Sequence, residues 1–96
     1  MWSLKQSWKL NLIKATMRVV TEIPNPAVKI TVFSWNGKYI IKLERGALEQ
    51  TYKVSEMDIL DESDITKMLD ETFINSALQR FSEMGKALQE AQERVE

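Results

Sequence analysis

Neither cysteine nor histidine occurs in this chain of 96 residues. The first absence excludes disulfides, thiolate nucleophiles and Cys-built zinc or iron–sulfur sites. The second removes the commonest general acid/base near neutral pH and the commonest transition-metal ligand, so that carboxylates, Lys and Tyr alone remain for proton transfer. With 3 glycines and 2 prolines there is little material for long linkers. Apolar runs are short, and none approaches the roughly 20 residues of a membrane-spanning helix. No excess of basic charge is present either: the formal net charge is −1, whereas a dedicated nucleic-acid binder needs a net basic surface for its phosphate contacts. The expectation is a soluble, cytoplasmic protein with no cofactor, no metal and no catalytic residues.

What the chain does contain is ordinary globular material, with 44% apolar and 28% charged residues, enough for one domain of modest stability. Its fold class reads as α+β, a single unit over 1–96. The opening twenty residues carry Lys5, Lys9, Lys14 and Arg18 and no acid, without the apolar core and small-residue cleavage site of a secretory signal. Leu4, Trp8, Leu12, Ala15 and Val19 recur at spacings of 4, 4, 3 and 4, which predicts an N-terminal amphipathic helix over 1–20. Trp2, Leu10, Ile13 and Met17 add a second apolar stripe, so the helix asks for two neighbours or frays as a terminus.

Ile23–Pro26, "IPNP", ends helical structure, because each proline restricts the residue before it and donates no backbone hydrogen bond. A β-meander over 28–54 follows. Asn36-Gly37 is a strong hairpin signal, and a turn there sets Trp35 opposite Lys38, Phe33 opposite Ile40, Val32 opposite Ile41, Ile30 opposite Leu43 and Lys29 opposite Glu44. A second reversal at Arg45-Gly46 is expected to bring Leu48 opposite Leu43, Glu49 opposite Lys42 and Tyr52 opposite Tyr39. The result is a three-stranded antiparallel sheet over roughly 29–35, 38–44 and 48–54, and a fourth, short edge strand over Arg18 to Ile23 is compatible with the pattern. From Asp61 the pattern turns helical through residue 95, with a bend expected at 70–73. Phe81, Met84, Leu88, Ala91 and Val95 repeat at coiled-coil spacing over about two heptads. A helix from Phe73 to Val95 extends roughly 33 Å at about 1.5 Å per residue, against about 23 Å for a seven-residue strand, so its last turns outrun the sheet.

Candidate sites follow from that register. One sheet face collects Ile30, Val32, Tyr39, Ile41, Leu43, Leu48, Tyr52 and Val54 to receive a helix. The other carries Phe33, Trp35 and Ile40 among Lys29, Lys38, Lys42, Lys53, Thr31 and Thr51, and aromatic side chains on a face expected to meet water are typical interface anchors. The predicted contact set comprises Phe33, Trp35, Ile40, Trp2, Trp8, Phe81, Met84, Leu88 and Val95, as for a homodimer or a protein partner. Rings interleaved with cations also suit single-stranded nucleic acid, through Lys38, Lys42, Trp35 and Phe33, but Glu44 and Glu49 are expected to neutralise Lys29 and Lys42, which makes this the weaker alternative. Glu56, Asp58, Asp61, Glu62 and Asp64 lack the alternation and the glycine of a calcium loop, and read instead as acids complementing a helix start. Gly85 admits either helix flexibility or close approach of another backbone. The function expected is a non-catalytic protein-interaction module or small self-associating domain.

Overall fold

The computed structural model of the protein describes residues 17–96. Asn36 and Gly37 have positive φ values of 52° and 74°, as a type I′ turn demands of both central residues. They join β2 (Lys29–Trp35) to β3 (Lys38–Arg45) in the register expected, Trp35 opposite Lys38 through Lys29 opposite Glu44. The next reversal corrects the sequence-based register. Arg45 faces Leu48, Leu43 faces Gln50 and Ile41 faces Tyr52, so β4 (Leu48–Ser55) sits two residues from the predicted pairing. The cause is the turn itself: positive φ falls on Gly46 alone of Gly46-Ala47, the pattern of a two-residue type II′ turn. A shift of two preserves parity, so every β4 side chain stays on the face assigned to it.

A fourth strand, β1 (Arg18–Ile23), pairs antiparallel with β2 and completes the order β1-β2-β3-β4. Residues 18–20 therefore belong to the sheet, which corrects the expected extension of the N-terminal helix to residue 20. Met17, just before β1, is not helical, and residues 1–16 of that predicted helix, with Trp2 and Trp8, lie outside the described residues. A register shift between Val19 and Thr21 bulges β1, and Pro24 and Pro26 follow its end.

The polar stretch after β4 folds as a 3-10 turn over Glu56–Asp58, then α1 (Ser63–Met68) and α2 (Glu71–Glu93). The bend expected at 70–73 falls earlier, at Leu69-Asp70, and residues 71–73 are already helical. Asp70 adopts an extended backbone and its carboxylate accepts a hydrogen bond from the Phe73 N–H at 2.9 Å, satisfying one of the orphan donors of a helix start. Periodicity then sets what α2 buries: Ile74, Ala77 and Phe81 turn to the sheet, where they meet Ile30, Val32, Ile41 and Leu43, all at most 2% exposed. Ile65 of α1 and Leu69, just past its end, extend this core. At Gly85 an added Cβ would lie 3.6 Å from Leu48 Cδ1, ordinary contact, so packing within the chain does not require a glycine there.

Candidate functional site

α2 closes one face of the sheet, and the side chains of the opposite face are fixed by strand pairing. Val19 faces Phe33, Phe33 faces Ile40, and Ile40 faces Lys53, a row crossing all four strands. Beside it Trp35 faces Lys38. Phe33 and Trp35 are half-buried and Val19 is 54% exposed. Ile40 and Thr31 are buried, at 8% and 4%, yet neither belongs to the core cluster under α2. Among the described residues no helix packs on this face, termed the open face, which is an aromatic and aliphatic strip separate from the core.

Charge on this face is divided along the strands. At one end Glu44 and Glu49 face each other across β3 and β4, and Lys42 lies between them, its Nζ 3.8 Å from Glu44 and 3.3 Å from Glu49. This corrects the expected pairing of Glu44 with Lys29: Glu44 sits opposite Lys29, but its ion pair is with Lys42. Glu49 also accepts a hydrogen bond from the Thr51 hydroxyl at 2.9 Å. That bond, together with Lys42, holds the Glu49 carboxyl below the usual value. At the other end, among the described residues, Lys38 and Lys53 make no salt bridge, and they lie beside Trp35 and Ile40.

Two further polar groupings close the helix side. At the sheet's end, Arg18 on β1 contacts Glu62 at 2.7 Å and the Ser34 hydroxyl donates to Glu56 at 3.0 Å, pinning the loop after β4 across the ends of β1 and β2. The Glu62 carboxylate raises the Arg18 pKa. Burial, then the Glu62 and Glu56 carboxylates, raise that of the Tyr39 phenol. Between sheet and helix, Gln50 is 8% exposed. Its amide donates to the Ala77 carbonyl at 2.9 Å, while its oxygen accepts from the Tyr52 hydroxyl at 2.8 Å and from Arg80 Nε at 3.1 Å. Arg80 donates in turn to Tyr52 and Ser76 and lies 6.0 Å from the centre of the Phe73 ring. Gln50 escapes the sequence pattern because it stands between Glu49 and Thr51 in a polar run; the even parity it shares with Leu48 and Tyr52 is the available clue.

The candidate contact residues divide. Phe33, Trp35 and Ile40 share the open face with Lys38 and Lys42. Phe81 is 2% exposed within the core and has no surface to offer a partner. Met84 is half-buried against that core; Leu88, 44% exposed, lies on the part of α2 beyond it, and Val95, 85% exposed, follows the helix end at Glu93, which corrects the expected helix through residue 95. No family model, curated protein or solved structure matches this chain. Any functional reading therefore rests on its own residues. Among those described, no group of three or more acidic side chains is placed to hold a metal ion, and no helix is long and apolar enough to cross a membrane. Tyr39 and Glu44 occupy opposite faces of the sheet, whereas Lys42 shares the face of Glu44.

Proposed function

We propose that the protein is a non-catalytic interaction module that docks a protein partner on the open face of its sheet. The observation carrying this reading is the position of Phe33 and Trp35: two large rings on the side of the sheet away from α2, in a strip where Ile40 is already desolvated. Aromatic anchors on a rigid surface lose little conformational entropy on binding and supply a large share of affinity in protein interfaces. The polar ends formed by Lys38 and Lys53 on one side and Glu44 and Glu49 on the other would act as the rim that fixes orientation.

Lys38 and Lys53 beside Trp35 also support a second reading, single-stranded nucleic acid stacked on the rings. The neutralisation of Lys42 by two carboxylates and the net charge of −1 weigh against it. One experiment separates the two. Capture from source lysate, untreated and nuclease-treated, with the wild-type chain and with a Phe33→Ser, Trp35→Ser variant, read by quantitative mass spectrometry, is expected to show in both lysates a protein set depleted at least about tenfold by the variant, as for loss of interface hot spots. A captured set unchanged by the variant refutes open-face docking; a set lost on nuclease treatment transfers the site to nucleic acid.

A further inference from the structure

The two edges of the sheet are unlike. β1 is six residues long, bulged between Val19 and Thr21, and followed by Pro24 and Pro26, all devices that blunt an edge against pairing. β4 is eight residues long, contains no proline and pairs with β3 without a register shift. A long regular edge with unpaired N–H and C=O groups is a template for another strand. The two-residue turn makes Arg45 and Leu48 the closing pair of the hairpin, and bonding to β3 alternates from there. The backbone groups of Glu49, Thr51 and Lys53 therefore point out of the edge.

We infer that β4 pairs antiparallel with β4 of a second copy of this chain, with Thr51 opposite Thr51 on the two-fold axis and Glu49 of each copy opposite Lys53 of the other. The argument is one of charge and parity. An isologous antiparallel pair keeps the open faces together only when odd residues face odd residues. Centring on Gln50 sets Glu49 against Thr51, and centring on Tyr52 sets Thr51 against Lys53, neither of which joins opposite charges. Moving a further residue either way puts Glu49 against Glu49 or Lys53 against Lys53. Thr51 at the centre alone yields two reciprocal acid–base pairs, flanking a Thr–Thr pair of a kind favoured across strands. Lys53, which makes no salt bridge among the described residues, gains a partner. On the helix side the same register sets Gln50 against Tyr52 and Leu48 against Val54. The groove along this edge, about 450 Å³ and lined by Gln50, Tyr52, Arg80, Glu83 and Met84, then adjoins its symmetry mate. The axis runs perpendicular to the sheet, so the two open faces lie on one side of an eight-stranded surface.

Sedimentation equilibrium of the full chain tests this. Wild type is expected at twice the 11.2 kDa protomer mass, and Lys53→Glu and Glu49→Lys singly are each expected to raise the dissociation constant by at least about tenfold by setting like charges across the edge. The double variant Glu49→Lys, Lys53→Glu restores opposite charges and is expected to recover the dimer. A wild-type monomer at about 100 μM, where affinities of micromolar strength are saturated, overturns the proposal, as does a dimer equally stable in all four proteins. Should a single variant fail to fold, recovery of a folded dimer in the double variant carries the result, and a folded monomer there refutes it. The edge and the open face are separate: Phe33→Ser, Trp35→Ser is expected to stay dimeric, so either reading can fail without the other.

Discussion

Phe81→Ala is expected to lower the unfolding free energy by about 3–5 kcal/mol, the range for truncating a buried aromatic residue to alanine. That is a large share of the roughly 5–15 kcal/mol by which domains are stable. Phe81 is one of three α2 residues buried against the sheet and is 2% exposed, so its removal opens a cavity between helix and strands that backbone relaxation fills only in part. Leu88, two turns later and 44% exposed, provides the contrast: Leu88→Ala is expected to change stability by no more than about 0.5 kcal/mol. Urea denaturation of both variants, read by far-ultraviolet circular dichroism, measures the difference. A large Leu88→Ala effect that grows with protein concentration would place the end of α2 in an intersubunit contact instead.

The second large effect concerns polarity in the core. Gln50→Leu is expected to cost about 1–3 kcal/mol, because it leaves partners unsatisfied and does not merely delete a bond. The Tyr52 hydroxyl and Arg80 Nε lose their acceptor, and the Ala77 carbonyl loses a donor. Leucine is of similar size, so a hydrophobic account of this site predicts a neutral or stabilising change. Pairing Gln50→Leu with Tyr52→Phe in a double-mutant cycle distinguishes the two: members of one network are expected to couple by at least about 0.5 kcal/mol, whereas independent contacts add.

The parts of this fold legible in the sequence are those where a local rule and the hydrophobic pattern agree. Asn36-Gly37 has one natural turn geometry, and from it the whole β2–β3 register followed, including which rings face away from the helix. Arg45-Gly46 was ambiguous because Gly46 serves both a two-residue turn and a longer loop. The faces survived this ambiguity, since both options share parity, but the pairing of Glu49 did not. Phe81 was misplaced for a different reason. Spacing alone does not distinguish a helix stripe packed on the chain's own sheet from one reserved for another helix, and only the position of α2 over Leu43 and Ile41 decides it. Residues 18–20 were drawn into the N-terminal helix by Val19, whose spacing suits a helix and whose β-branched side chain suits the strand it occupies. Gln50 and Arg80 gave no pattern signal, because their network depends on two elements separated by about thirty residues.

The most direct test of the account is the unfolding free energy of the Phe33→Ser, Trp35→Ser variant. If these rings serve a partner and not the core, their loss removes only cross-strand contacts worth about 0.2–1 kcal/mol each, and the variant is expected to fold with a deficit of about 2 kcal/mol or less and an intact amide spectrum. A deficit as large as that of Phe81→Ala would show that both rings hold the monomer together, and would contradict the assignment of this face to docking.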